Sequence, residues 1–177
     1  MSRVMLSKAA NFLAFQITWW ASVLGAASSI LWLGPAVAAV ALCLHIFLVP
    51  DRLAALRLIS FMGLLGYITD SALGLVGVFE FREHALDILW LAPVWLLGLW
   101  LVFATTFRSS LEWLSDHSRL AAMLGGVAGP LSYYAGDRLG ALRIGEPLIQ
   151  KLIILALVWS LLLPILFACS RGVRHNR

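Results

Sequence analysis

Charge is what this sequence has least of. Asp, Glu, Lys and Arg make up 12% of its 177 residues, against roughly 25% in an ordinary soluble domain. That scarcity excludes a disordered chain, which needs charge and polarity to stay solvated. It also excludes a soluble nucleotide-binding enzyme, whose surface must face water. Cysteine is scarce too: Cys43 and Cys169 are the only two. They read as small packing residues, not as a disulfide framework. No Gly-rich phosphate loop, Cys-x-x-Cys pair or nucleophile elbow occurs, and no cofactor motif is present.

What is abundant is hydrocarbon. The residues AVILMFWYC supply 62% of the chain, and the mean hydropathy is +0.93. A bilayer-spanning helix needs about 20 apolar residues, so six spans with short connections account for most of the length. The expected fold is all-α: a polytopic transmembrane helix bundle of about six spans, forming one integral membrane domain over residues 1–177. The spans read as Ala9–Leu24, Pro35–Val49, Leu56–Val78, Ile88–Phe107, Leu120–Gly136 and Ile149–Ala168. The first is expected to be retained, because Asn11 and Gln16 make a poor signal-peptide core.

The net charge of +4 does not imply a nucleic-acid partner, because the basic residues lie between apolar runs and at the ends. They set orientation instead. With the N-terminus inside, Arg3, Lys8, Arg52, Arg57, Arg108, Arg119, Arg171, Arg174 and Arg177 fall on the inner side. Only Arg82, Arg138, Arg143 and Lys151 fall outside. Both termini are therefore expected in the cytoplasm. The basic tail from Arg171 reads as a topology anchor that touches anionic headgroups.

Lipid gives helices no hydrophobic reason to associate, so small and polar residues mark their contacts. In the third span Gly63, Gly66, Tyr67, Asp70, Gly74 and Gly77 fall within an arc of roughly 100°. An ionised carboxylate at the depth of Asp70 costs about 2.5–3.5 kcal/mol on insertion scales. It must be protonated, paired or beside water. Two readings stand: a functional acid, or a hydrogen bond that fixes packing. Tyr67, one turn earlier, is its nearest expected partner. The fifth span repeats the pattern with Gly125, Gly126, Gly129, Tyr133, Gly136 and Asp137, and Pro130 is expected to kink or break it. The first carries Asn11, Ala14, Thr18, Ser22 and Gly25 on one face. These three faces are expected to meet around Asp70, making Asp70, Tyr67 and Asn11 an intramembrane polar site. Tyr133, Tyr134, Asp137 and Arg138 would form the mouth of a cavity. Trp95 and Trp100 would line it for an acyl or isoprenoid chain, or simply pack.

Other polar groups carry less. Glu80, His84 and Asp87 would share a helical face with metal-ligand spacing, but one histidine is a weak signal, and no metal site is expected. His45 reads as a packed boundary residue. Trp20, Trp32, Trp90 and Trp113 suit interfacial belts.

Several stretches in order carry a family resemblance: Asn11-Phe12 leading to Trp19-Trp20; Asp70 with Gly74 and Gly77; Pro93-Val94-Trp95 with Leu99-Trp100 and Phe103-Ala104-Thr105; and Gly129-Pro130-Leu131-Ser132-Tyr133 with Gly136. They resemble a family of small bacterial inner-membrane proteins known only as a domain of unknown function. The resemblance covers nearly the whole chain. Members are often encoded beside cyclopropane-fatty-acid synthase and other lipid-modifying genes. It implies location in the bacterial inner membrane, membrane lipid as ligand and lipid-modifying enzymes as partners. It supplies no catalytic residues. The expected role is assistance of lipid modification by holding a lipid or acyl chain. The alternatives are a small proton-coupled carrier, and an intramembrane enzyme with Asp70 as acid/base.

Overall fold

The computed structural model describes residues 3–81 and 91–175. Among them the chain forms six α-helices: α1 (Arg3–Ala27), α2 (Leu33–Leu48), α3 (Arg52–Leu75), α4 (Val94–Thr106), α5 (Ser118–Leu139) and α6 (Leu148–His175). Two short strands, β1 (Phe79–Phe81) and β2 (Leu142–Ile144), join the loops that follow α3 and α5. Local chemistry sets several boundaries. The Asp51 carboxylate accepts the Ala54 N–H at 3.0 Å and caps α3. Pro93, whose ring fixes φ and removes a donor, precedes α4. Gly140 ends α5 at φ +87°, a left-handed conformation that suits glycine.

The all-α expectation holds, with six helices among the described residues, and three details differ. First, a short strand pair joins two of the loops. β1 and β2 pair antiparallel in the register Phe79↔Ile144, Glu80↔Arg143 and Phe81↔Leu142. Each strand reads apolar–charged–apolar, so Phe79, Phe81, Leu142 and Ile144 turn inward while Glu80 and Arg143 face out together. Second, α5 continues through Pro130 as one helix, so the chain does not break there, and the fourth helix starts at Val94. The expected start at Ile88, together with Arg82, Trp90 and the proposed ligands His84 and Asp87, lies outside the described residues. Glu80 stands in β1, so it does not begin a helical ligand face. Among the described residues no three of His, Cys, Asp and Glu cluster as metal ligands.

Third, the small faces of α1, α3 and α5 do not close on one another. Each receives an even-numbered helix. Gly34 of α2 lies against Ser22 of α1; Gly63 and Gly66 of α3 lie against Leu101 and Trp100 of α4; Gly125 and Gly129 of α5 lie against Trp159 of α6. A glycine stripe is a depression, and bulky side chains from an apolar helix fill it. The most extensive contacts are accordingly α5 with α6, α3 with α4, and α1 with α2 and α4. α1 barely touches α5, which leaves a cleft on that side of the bundle.

The start of α1 and the end of α6 lie at one end of the bundle. Lys8 pairs with Glu112 at 3.2 Å, and Arg171 bonds the Ser115 carbonyl beside Asp116. The strand pair closes the other end. Among the described residues two helices, Arg52–Leu75 and Leu148–Arg171, are long and apolar enough to cross a membrane. Large apolar side chains also cover the outside: Leu48 is 83% exposed, Phe47 75% and Ile149 73%. Trp32 and Trp113 are exposed near helix ends, and Trp20 is exposed within α1. Both cysteines are free.

Candidate functional site

Asp70 is 1% exposed and sits where α3, α4 and α5 converge. Its Oδ2 accepts the Trp100 indole N–H at 2.7 Å. Its Oδ1 accepts the Tyr133 hydroxyl at 2.5 Å. Among the described residues the ion pairs are Lys8–Glu112 and Arg171–Asp116, so the carboxyl is held by two neutral donors and no cation. Such groups are costly to bury unless bonded, and here both donors come from other helices.

The rings that carry these donors are seated by glycine. A Cβ on Gly66 would fall inside the Trp100 ring, and one on Gly129 would fall against the Trp159 ring. The two indoles stack at 5.2 Å between centroids and 14° between planes. Tyr133 stacks on Phe79 of β1 at 5.1 Å and 18°. Phe81 meets Trp95 edge-on at 5.9 Å. The strand pair is thus the floor beneath Tyr133 and Trp95.

Above that floor lies a cavity of about 90 Å³, with Asp70, Trp95, Trp100, Tyr133 and Trp159 in its wall. On the ~30 Å³ that a water molecule occupies in the liquid, it has room for about three waters or for the end of an aliphatic chain. Phe15 and Trp19 of α1 complete the lining with Leu99 and Phe103. These four and Trp159 are only half-buried, so the cavity opens sideways, in the cleft beside α1. Its wall is almost wholly hydrocarbon and aromatic, with the Asp70 cluster as the polar group in it.

The expected site residues are divided by this geometry. Asp70 and Tyr133 meet directly. Trp95 and Trp100 line the cavity, and Trp100 adds an indole donor that sequence reasoning overlooked. Tyr67 is not the partner of Asp70. Its hydroxyl donates to the Ala92 carbonyl, while Ser71 Oγ accepts the Ala92 N–H at 3.1 Å, so the pair anchors the backbone before Pro93. Asn11 stands apart, donating to Thr105 Oγ1 at 2.8 Å and accepting from Ser110 Oγ at 2.7 Å. Thr105 lies five residues beyond Trp100, about 7.5 Å along α4.

The expected cavity mouth does not assemble either. Tyr133 points inward, but Tyr134 and Arg138 are exposed and outside the lining. Asp137 accepts the Ile144 N–H at 2.9 Å, tying α5 to β2. The site residues missed altogether are Trp159, Phe15 and the strand pair. Gly66 and Gly129 were the available signal, since a glycine on a packed face calls for a large ring opposite.

A protein-family model described as a protein of unknown function (DUF2878) matches residues 8–165. No curated protein and no solved structure matches the chain. With the match running over most of its length, the chain belongs to the DUF2878 family.

Proposed function

We propose that this is a multi-pass protein of the bacterial inner membrane, with six spans and both termini in the cytoplasm. It binds a lipid or acyl chain in the Asp70 cavity and so assists fatty-acyl modification beside lipid-modifying enzymes. The observation that carries this reading is the side-opening apolar cavity with one neutral-donor carboxyl cluster in its wall. Ligand sites of this kind are mostly apolar, with a few placed polar groups fixing orientation. The outward Leu48, Phe47 and Ile149 support immersion in lipid, since a soluble protein rarely leaves such patches in water. The bias of Lys and Arg toward the end that holds the start of α1 and the end of α6 supports the orientation.

The Asp70–Tyr133 contact at 2.5 Å favours a second reading, an intramembrane enzyme in which this pair passes a proton to or from a bound chain. One experiment serves both. In a deletion strain complemented at matched membrane levels, the whole-cell lipidome loses a modified fatty acid that wild type restores and Asp70→Asn does not. Indistinguishable lipid profiles in all three strains, with the lipid-modifying enzymes expressed, would overturn the proposal.

A further inference from the structure

A second cavity lies where the end of α2, the start of α3 and the end of α4 meet, at the bundle end that carries the Lys8–Glu112 pair. It measures about 290 Å³ and shares no lining residue with the Asp70 cavity. Exposure divides its lining in two. Leu58, Ile59 and Ala104 are buried and give it an apolar floor. The polar groups are His45, half-buried, and Asp51 and Arg108, both exposed. Opposite charges in one wall usually pair, yet the ion pairs among the described residues are Lys8–Glu112 and Arg171–Asp116. The Asp51 carboxylate is turned to its own helix, which it caps through the Ala54 N–H at 3.0 Å. Arg108 therefore keeps its planar fork of N–H donors for a ligand, and that fork matches the oxygens of a phosphate. The His45 imidazole carries at least one further N–H.

We propose that this cavity holds a phospholipid with a phosphoethanolamine headgroup, its phosphate on Arg108 and its ammonium toward Asp51. The inference rests on the chain lying in a bilayer, and not on the Asp70 cavity. Charge selects the headgroup. Asp51 puts a negative charge on the same wall as Arg108, so a headgroup with a cationic far end is favoured over a purely anionic one. A phosphoglycerol headgroup brings the phosphate but no cation for Asp51. Phosphocholine brings the cation but no N–H to donate to the carboxylate. The apolar floor and the outward side chains of the same helix ends favour a lipid over a soluble phosphate ester. Phe47 is 75% exposed and Leu53 59%, and acyl chains can lie along them.

Native mass spectrometry of the detergent-purified protein, titrated with single lipids, reads the tightest site. Phosphatidylethanolamine should bind about fivefold more tightly than phosphatidylglycerol. Arg108→Gln should weaken it about tenfold, as loss of one charge-assisted hydrogen bond does. Arg57→Gln, at an exposed position outside the cavity lining, should leave it unchanged. Asp51→Asn keeps an oxygen to cap α3 and should abolish the preference between the two lipids. Equal titrations of wild type and Arg108→Gln overturn the site, and equal binding of the two lipids by wild type overturns the choice of headgroup. Glycerophosphoethanolamine is the soluble probe: if it competes as strongly as the lipid, the lipid assignment fails. Carbonate washing of cell membranes keeps this inference apart from the reading beneath it. Protein released by the wash overturns immersion in the bilayer itself, whereas protein retained without a headgroup preference overturns this inference alone.

Discussion

Asp70→Ala lowers the stability of the purified protein by roughly 2–6 kcal/mol, because it strands two buried donors at about 1–3 kcal/mol each. The Trp100 N–H and the Tyr133 hydroxyl both end on this carboxyl, and neither has another acceptor to turn to in an apolar wall. At about 2–4 °C per kcal/mol for a chain of this size, the thermal midpoint falls by at least roughly 4 °C. Asp70→Asn keeps one acceptor oxygen and loses about half as much. The diagnostic comparison is the triple replacement Asp70→Leu, Trp100→Phe and Tyr133→Phe. It removes every polar atom of the cluster together, so it recovers most of the stability that the single change loses. Melting curves in detergent read all three. A midpoint for Asp70→Ala equal to that of wild type would show that the cluster does not hold the helices together.

Gly66→Ala is the second large effect, although it adds only one methyl group. The new Cβ would lie within the Trp100 ring, and a ring stacked on Trp159 has no free direction in which to yield. Overpacking of this kind costs about 1–3 kcal/mol, and displacement of the indole also breaks its bond to Asp70. The loss belongs to Trp100 and not to α3 itself. In a Trp100→Ala background, Gly66→Ala should therefore be nearly harmless, giving a coupling energy of about 1–3 kcal/mol in the double-mutant cycle. Equal losses in both backgrounds would place the clash elsewhere.

Helix periodicity explains which parts of this architecture were legible beforehand. The apolar runs are long enough to identify six helices, and small residues spaced at helical intervals identify their packed faces. Periodicity says which side of a helix is covered, but not what covers it. The glycine faces of α1, α3 and α5 therefore suggested that these helices meet, whereas bulky side chains of α2, α4 and α6 fill them. Tyr67 was paired with Asp70 because the two are neighbours on one helix, yet the Tyr67 hydroxyl reaches the Ala92 carbonyl. Trp100 was read for its apolar area, and its single donor proved the more telling feature. Asp70 itself was legible for a simple energetic reason: a carboxyl at that depth must have partners. The strand pair left only two three-residue alternations, Phe79-Glu80-Phe81 and Leu142-Arg143-Ile144. These are too short to separate from loop by period alone.

The central claim is that the cleft beside α1 admits an apolar ligand to the Asp70 cavity. Leu99 lines that cavity from α4 and is half-buried, so Leu99→Trp would fill the space while leaving Asp70, Tyr133 and Trp159 themselves unaltered. Native mass spectrometry of protein purified from membranes measures ligand occupancy directly. Wild type should retain a bound apolar molecule through detergent exchange, and Leu99→Trp should retain at least tenfold less, with a thermal midpoint matching that of wild type stripped of its ligand. Equal occupancy by the same molecules in both proteins would contradict the account, because the ligand would then be bound somewhere other than this cavity.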